Sequence, residues 1–142
     1  PVGPASNPTT ANQLPRKQYV DEKDTWSKTW FYPVLPSAVE SIESVGRFIV
    51  PANGKTITSI TAVWASGSDS GGSNIFTIKR RNSGGTLQSD VGTVDVNTPA
   101  QNALQESVVS VAVSSGDQIY PLFTTRNTAS ETLVSISIRG TS

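Results

Sequence analysis

The 142-residue chain has no histidine, no cysteine and no methionine. Without histidine it lacks the most frequent general base, the usual partner of a serine or cysteine nucleophile, and the commonest metal ligand. Without cysteine it forms neither disulfides nor thiolate metal sites. Catalysis would have to run on carboxylates, lysine or tyrosine. The missing methionine includes position 1, where the chain reads Pro1-Val2-Gly3-Pro4, and we expect a C-terminal piece of something longer. Charge of one sign is not in excess either, with 11 Lys and Arg against 11 Asp and Glu. A phosphate backbone needs a net basic face, so nucleic acid is not an expected partner. No apolar run approaches the ~20 residues of a membrane-spanning helix, and no signal peptide is visible, so no membrane insertion is expected.

What the chain does contain falls into two compositions. Residues 1–40 hold six of the nine prolines and the aromatic group Trp26, Trp30, Phe31 and Tyr32. Residues 45–142 are rich in Ser, Thr, Val, Ile and Gly, a strand-forming mixture. We divide the chain into an N-terminal neck and oligomerisation segment, 1–40, and a β domain, 41–142.

In the second region apolar runs alternate with turn signals. Strands are predicted over 45–50, 56–66, 74–81, 89–96, 104–113, 118–125 and 132–140, separated by stretches such as "PANG", "GSDSGGS" and "SSGD". Val134, Ile136 and Ile138 alternate with Ser135, Ser137 and Arg139, which gives one core face and one solvated face. Ile57 and Ile60 break that parity, so a β-bulge is expected between them. Pro121 cannot donate a ladder hydrogen bond and belongs at an edge or a bulge. The spacing predicts an all-β antiparallel sandwich of jelly-roll type.

The neck reads differently. Residues 16–30 contain neither Pro nor Gly, and Tyr19, Lys23, Trp26 and Trp30 fall at i, i+4, i+7 and i+11, the stripe of a short helix. Such a helix is marginal alone and needs a neighbour.

"NPTTANQLPRKQYVDEK" (7–23) carries Pro8, Thr9, Leu14, Lys17, Tyr19, Val20, Asp21 and Lys23 in a pattern that resembles one found in bacteriophage tail fibre and receptor-binding proteins, where a trimeric shaft hands over to a distal domain. "GRFIVPANGKTITSITAVWASGS" and "VSVAVSSGDQIYPLF" look like the distal jelly-roll domains of such fibres, although "RRNSGG" replaces their compact Asn-Gly turn. The resemblance implies a homotrimer on the virion, extracellular, joined to other tail proteins through its N-terminal side. Its sandwich would contact a glycan or protein receptor on the host surface. Tyr19, Val20, Trp26, Trp30, Phe31 and Tyr32 are then the candidate trimer interface. Two other readings remain open: a carbohydrate-binding module of a secreted enzyme, for which Trp64 is the one tryptophan beyond residue 40, and a capsid decoration or head-fibre protein.

Receptor-contact candidates are polar residues in predicted loops and at strand ends: Asp69, Asn74, Arg81, Asn82, Arg126 and Asn127. The "IKRR" run (78–81) doubles as a basic patch for phosphate or anionic glycan, or as a solvated edge. Asp69 is the one carboxylate of its loop, too few for calcium, so no metal is expected. The carboxylates Asp69, Asp90, Asp95, Glu106, Asp117 and Glu131 are scattered over turns and strands, and nothing selects an acid–base pair. The expectation is a non-enzymatic protein without cofactor.

Overall fold

The computed structural model describes residues 25–68, 72–97, 100–127 and 130–142. Tyr19, Val20 and Asp69 lie outside them. Eight strands follow in order: β1 (Thr25–Val34), β2 (Phe48–Ile49), β3 (Thr56–Gly67), β4 (Ile75–Arg81), β5 (Gly92–Asp95), β6 (Gln105–Ala112), β7 (Gln118–Thr125) and β8 (Glu131–Thr141). They form two four-stranded antiparallel sheets, ordered β1-β8-β3-β6 (sheet A) and β2-β7-β4-β5 (sheet B). This is the jelly-roll arrangement the alternation predicts. The seven strands expected beyond residue 45 are all present.

The bulge is present as well. Sheet A pairing shifts register between Ile57 and Ser59, and the extra residue lets Ile57 and Ile60 both turn inward, each fully buried. Pro121 sits on β7 beyond the two residues, Gln118 and Ile119, that β2 covers. Past that point the edge is satisfied by the chain around Glu40. The Glu40 N–H donates to Phe123 O (2.8 Å), and the Phe123 N–H donates to Glu40 Oε1 (3.0 Å). The parity that sends the Phe123 N–H to that side sends the proline nitrogen there too, where no ladder bond is asked of it.

The neck differs from expectation. Residues 25–34 form a strand rather than the end of a helix, paired along its length with β8 (Trp26 opposite Gly140, Trp30 opposite Ile136, Tyr32 opposite Val134). The sandwich therefore begins by Thr25, inside the segment assigned to the neck. The aromatics obey a period of two: Trp26, Trp30 and Tyr32 face inward, and Phe31 outward. Trp30 and Tyr32 are each 3% exposed, so they belong to this chain's own core and are withdrawn as interface residues. Tyr32, Phe76 and Phe123 form a chain of rings with centroids 4.9 and 4.8 Å apart across the two sheets. The Trp30 Nε1 proton goes to Gly46 O (2.7 Å) and that of Trp26 to Thr141 O (3.1 Å). Trp26 also stacks on Phe48, centroids 5.4 Å apart, and lies flat over Gly140, where a Cβ would stand 2.1 Å from the indole. Only glycine leaves that space.

Truncating a buried Trp removes its transfer free energy and leaves a cavity, about 3–5 kcal/mol in all. Against a typical stability of about 5–15 kcal/mol this is a large share. Urea denaturation of Trp30→Ala is therefore expected to show a loss of that size. A chain starting at Ser41, lacking β1 altogether, is expected to give no cooperative melt. A normal melt from that truncation would mean that β1 is dispensable.

Candidate functional site

The two outer faces of the sandwich are chemically unlike. On sheet A the outward residues are mostly hydroxyl and small apolar side chains: Ser27, Thr29 and Phe31 on β1, Ser135 and Ser137 on β8, Thr61 and Val63 on β3, Val108 and Ser110 on β6. Thr29 and Ser137 share a hydrogen bond of 2.6 Å across the strands. Among the described outward positions only Glu106 and Arg139 carry charge, and they border a shallow groove of about 420 Å³. Large apolar side chains stand in solvent here: Val108 is 82% exposed, Leu104 66% and Phe31 52%. Leu133, on the same sheet, has a left-handed φ of 52°, a conformation that costs a non-glycine residue about 1–2 kcal/mol.

Sheet B presents cations instead. Lys79 and Arg81 project from β4, and Tyr120 stands opposite Lys79 on β7. The chain between β1 and β2 folds over them, so that Arg47 Cζ lies 4.6 Å from the Tyr120 ring centroid, a cation–π contact. These elements enclose a groove of about 410 Å³, within the size range of small-ligand sites. Its walls include the apolar Ile42 (75% exposed) and Leu87 (50% exposed).

Charge inside this groove is unevenly compensated. Arg47 pairs with Glu43 and also donates Nη1–H to Gln118 Oε1 (2.8 Å). Lys79 Nζ meets Asp90 Oδ1 at 2.7 Å. Arg81 binds neutral acceptors: its Nε–H goes to Tyr120 Oη (3.2 Å) and its Nη1–H to Gly85 O (2.8 Å). Among the described residues no carboxylate lies within ion-pair distance of it. For the Glu43 carboxyl, burial is the largest single influence and acts upward. The hydrogen bonds it accepts and the charges of Arg47 and Arg81 together outweigh burial and hold its pKa below the ordinary value. Burial pushes the Tyr32 phenol far above its ordinary range, and Glu40 and Glu43 add to the rise.

The six receptor-contact candidates do not come together. Asn74 and Arg81 lie at the two ends of β4, about 23 Å apart at about 3.3 Å per residue. Arg81 lines the sheet B groove, while Asn82 beside it caps its own turn: its Oδ1 accepts the Thr86 N–H (2.9 Å) and its carbonyl the Gly85 N–H (2.9 Å). Asn74 is fully buried, which removes it as a contact residue. It knits the opposite end of the sandwich, where its Nδ2 donates to Glu131 Oε2 (3.3 Å) and its Oδ1 accepts the Asn127 N–H (2.8 Å). Arg126 is exposed at that end and donates Nε–H to Pro36 O (3.3 Å).

Four of the scattered carboxylates hold the fold. Asp95 Oδ1 accepts the N–H groups of Asn74 (3.1 Å) and Asn97 (3.0 Å). Asp117 is buried in its hairpin, with Oδ2 accepting the Ser114 N–H (2.9 Å) and lying 3.5 Å from Arg80. Glu131 is buried against Asn74 and Ser130, and Asp90 is tied to Lys79. Among the described residues no cluster of three or more acidic side chains could hold a metal ion. Trp64 is 2% exposed, so it offers no stacking platform. The residues sequence reasoning missed are Ile42, Glu43 and Arg47. They lie in a polar connection whose place over β7 depends on contacts distant in sequence.

No family model matches the chain, and no curated protein matches it. Among solved structures, the chain is similar to the C-terminal CBM6 of LamC, a marine laminarinase from Zobellia galactanivorans (17% identity, 83% of this chain and 99% of that one, TM-score 0.43). It is also similar to a family 35 carbohydrate-binding module from Clostridium thermocellum (10% identity, 80% and 96%, TM-score 0.44). A third likeness is to the globular domain of zebrafish complement 1qA (8% identity, 81% and 95%, TM-score 0.43). Likeness at this level speaks to neither ligand nor partner.

The Glu43–Arg47 tie has a definite pH dependence. A carboxyl whose folded pKa is depressed stabilises the fold above its unfolded value, and the contribution is lost as pH falls through the folded value. An NMR titration is expected to place the Glu43 midpoint below the ordinary 4.5 in the native chain, and closer to 4.5 in Arg47→Ala. Identical midpoints in the two proteins would show that Arg47 does not hold the carboxylate.

Proposed function

We propose that this chain is a non-enzymatic bacteriophage virion module, part of a tail fibre or receptor-binding protein. In this reading it is a homotrimer whose sandwich contacts a saccharide on the host surface. The observation that carries the assembly is the outer face of sheet A. Solvated sheet faces ordinarily carry interspersed Lys, Arg, Glu and Asp. This one holds two charges across four strands while exposing Val108, Leu104 and Phe31. Apolar surface of that kind marks association sites. The strained backbone at Leu133, whose side chain is 45% exposed, fits the same use, since strain persists where a function holds it.

The virion role rests on the fibre-like motif of residues 8–23. That motif ends just ahead of Thr25, where β1, the edge strand of sheet A, begins. A shaft ending there would deliver three copies of β1 side by side and bring three copies of the charge-poor face toward one axis. Of the aromatic interface candidates among the described residues, Phe31 alone is largely exposed on that face. Sheet B would then face outward, free for receptor contact. Low affinity at each copy is offset by three linked sites.

Light scattering of the full chain tests this. The expected mass is three times the 15.0 kDa of one chain, and Val108→Asp is expected to lower it to that of one chain with the far-UV circular dichroism unchanged. A monomeric native chain would overturn the trimer and leave a lone saccharide-binding module. A trimeric Val108→Asp would move the interface off sheet A.

A further inference from the structure

We infer that the groove on sheet B is a binding site for a carboxylate-bearing saccharide, with Arg81 as the group that receives the carboxylate. The inference rests on the receptor-contact reading above and adds to it a place and a ligand class. Arg81 carries it. Its guanidinium is fixed by Tyr120 Oη and Gly85 O, both neutral, at 3.2 and 2.8 Å. Arg47 and Lys79 beside it have Glu43 and Asp90. A held guanidinium with no carboxylate of the described residues within ion-pair distance is already ordered for an incoming anion, so little freedom is lost when one arrives.

The surroundings choose among anions. Glu43 lines the same groove, and its carboxylate, ionised at neutral pH, repels a doubly charged phosphate more than a singly charged carboxylate. The same oxygen atoms accept hydrogen bonds, which suits a ligand rich in hydroxyl donors, and Ser41 adds a hydroxyl to the lining. The exposed side chains of Ile42 and Leu87 offer apolar surface to the C–H faces of a sugar ring. An acid group, several hydroxyls and an apolar face occur together in a uronic acid. Tyr120 has a supporting part: its ring is capped by Arg47, so it orients the cations rather than stacking on sugar.

The test is calorimetric titration of the full chain with three probes: an oligogalacturonate, a neutral oligosaccharide of the same length, and inorganic phosphate. Binding of the oligogalacturonate is expected, weakened by added salt and reduced at least about tenfold by Arg81→Gln, the loss typical of one charge-assisted hydrogen bond. Because Arg81→Gln also releases Tyr120, Leu87→Asp on the exposed wall serves as a second variant and is expected to weaken binding without altering the melting temperature. Equal binding of phosphate would overturn the saccharide assignment in favour of a plain anion patch. Binding that neither variant weakens would overturn the groove while leaving the receptor reading intact. Absence of binding to the oligogalacturonate would overturn the inference, and binding of the neutral sugar alone would do so while keeping saccharide contact elsewhere. The mass measurement decides the trimer independently of all these.

Discussion

Sheet A is closed by one interaction, the antiparallel pairing of β1 with β8, and both the core and the surface chemistry depend on it. Without β1, the strand that supplies Val134, Ile136 and Ile138 to the core would become an unprotected edge. The same strand brings in Trp30 and Tyr32, the latter beginning the ring contacts that run through Phe76 to Phe123 and so bridge the two sheets. The anchor reaches further through the chain that follows. The Trp30 indole holds the Gly46 carbonyl, and Glu40 is hydrogen-bonded to Phe123 at both its backbone and its side chain. The connection between β1 and β2 is therefore pinned at its middle and near its far end, and Arg47 stands over Tyr120 as a consequence.

From that arrangement the two outer faces acquire separate chemistries. Sheet A has β1 and β6 at its edges and turns hydroxyls and small apolar groups outward. Sheet B has its outward cations on β4, with the pinned connection laid beside them. A single cationic cluster on both faces would repel copies of the chain from one another. Confining Lys79, Arg81 and Arg47 to one side leaves the other free of that repulsion.

How much of this is legible in the sequence depends on the range of the interaction. Strands β2 to β8 follow from apolar runs and turn residues, and even the bulge shows as the broken parity of Ile57 and Ile60. β1 does not follow. Tyr19, Lys23, Trp26 and Trp30 satisfy a helical spacing, and Trp26, Trp30 and Tyr32 satisfy a period of two just as well. What decides is the open side of β8, more than a hundred residues away, which no local window contains. The same holds for the site. Arg81 was visible as a cation at the end of a strand. Asn74, read with equal reason as a loop residue, is buried because Glu131 and Asn127 reach it from the far end of the chain. Ile42 and Arg47 look like ordinary linker residues until β7 lies beneath them.

The arrangement also bears on how a ligand in the groove and assembly on sheet A would influence one another. One wall of the groove belongs to the segment anchored by Trp30, whose strand neighbour Phe31 lies on the opposite, charge-poor face. A shift of β1 would thus be felt on both sides of the sandwich. Interiors packed at crystal-like density do not absorb such shifts gradually. With Tyr32 and Phe76 in ring contact behind β1, the strand has no second position to adopt, and Gly140 fits Trp26 in the register observed. Rigidity is then the expected coupling: ligand contact on one face leaves the other undisturbed. In the proposed trimer, three copies would act as independent sites held at fixed separation, the condition under which multivalent contact gains most from effective concentration.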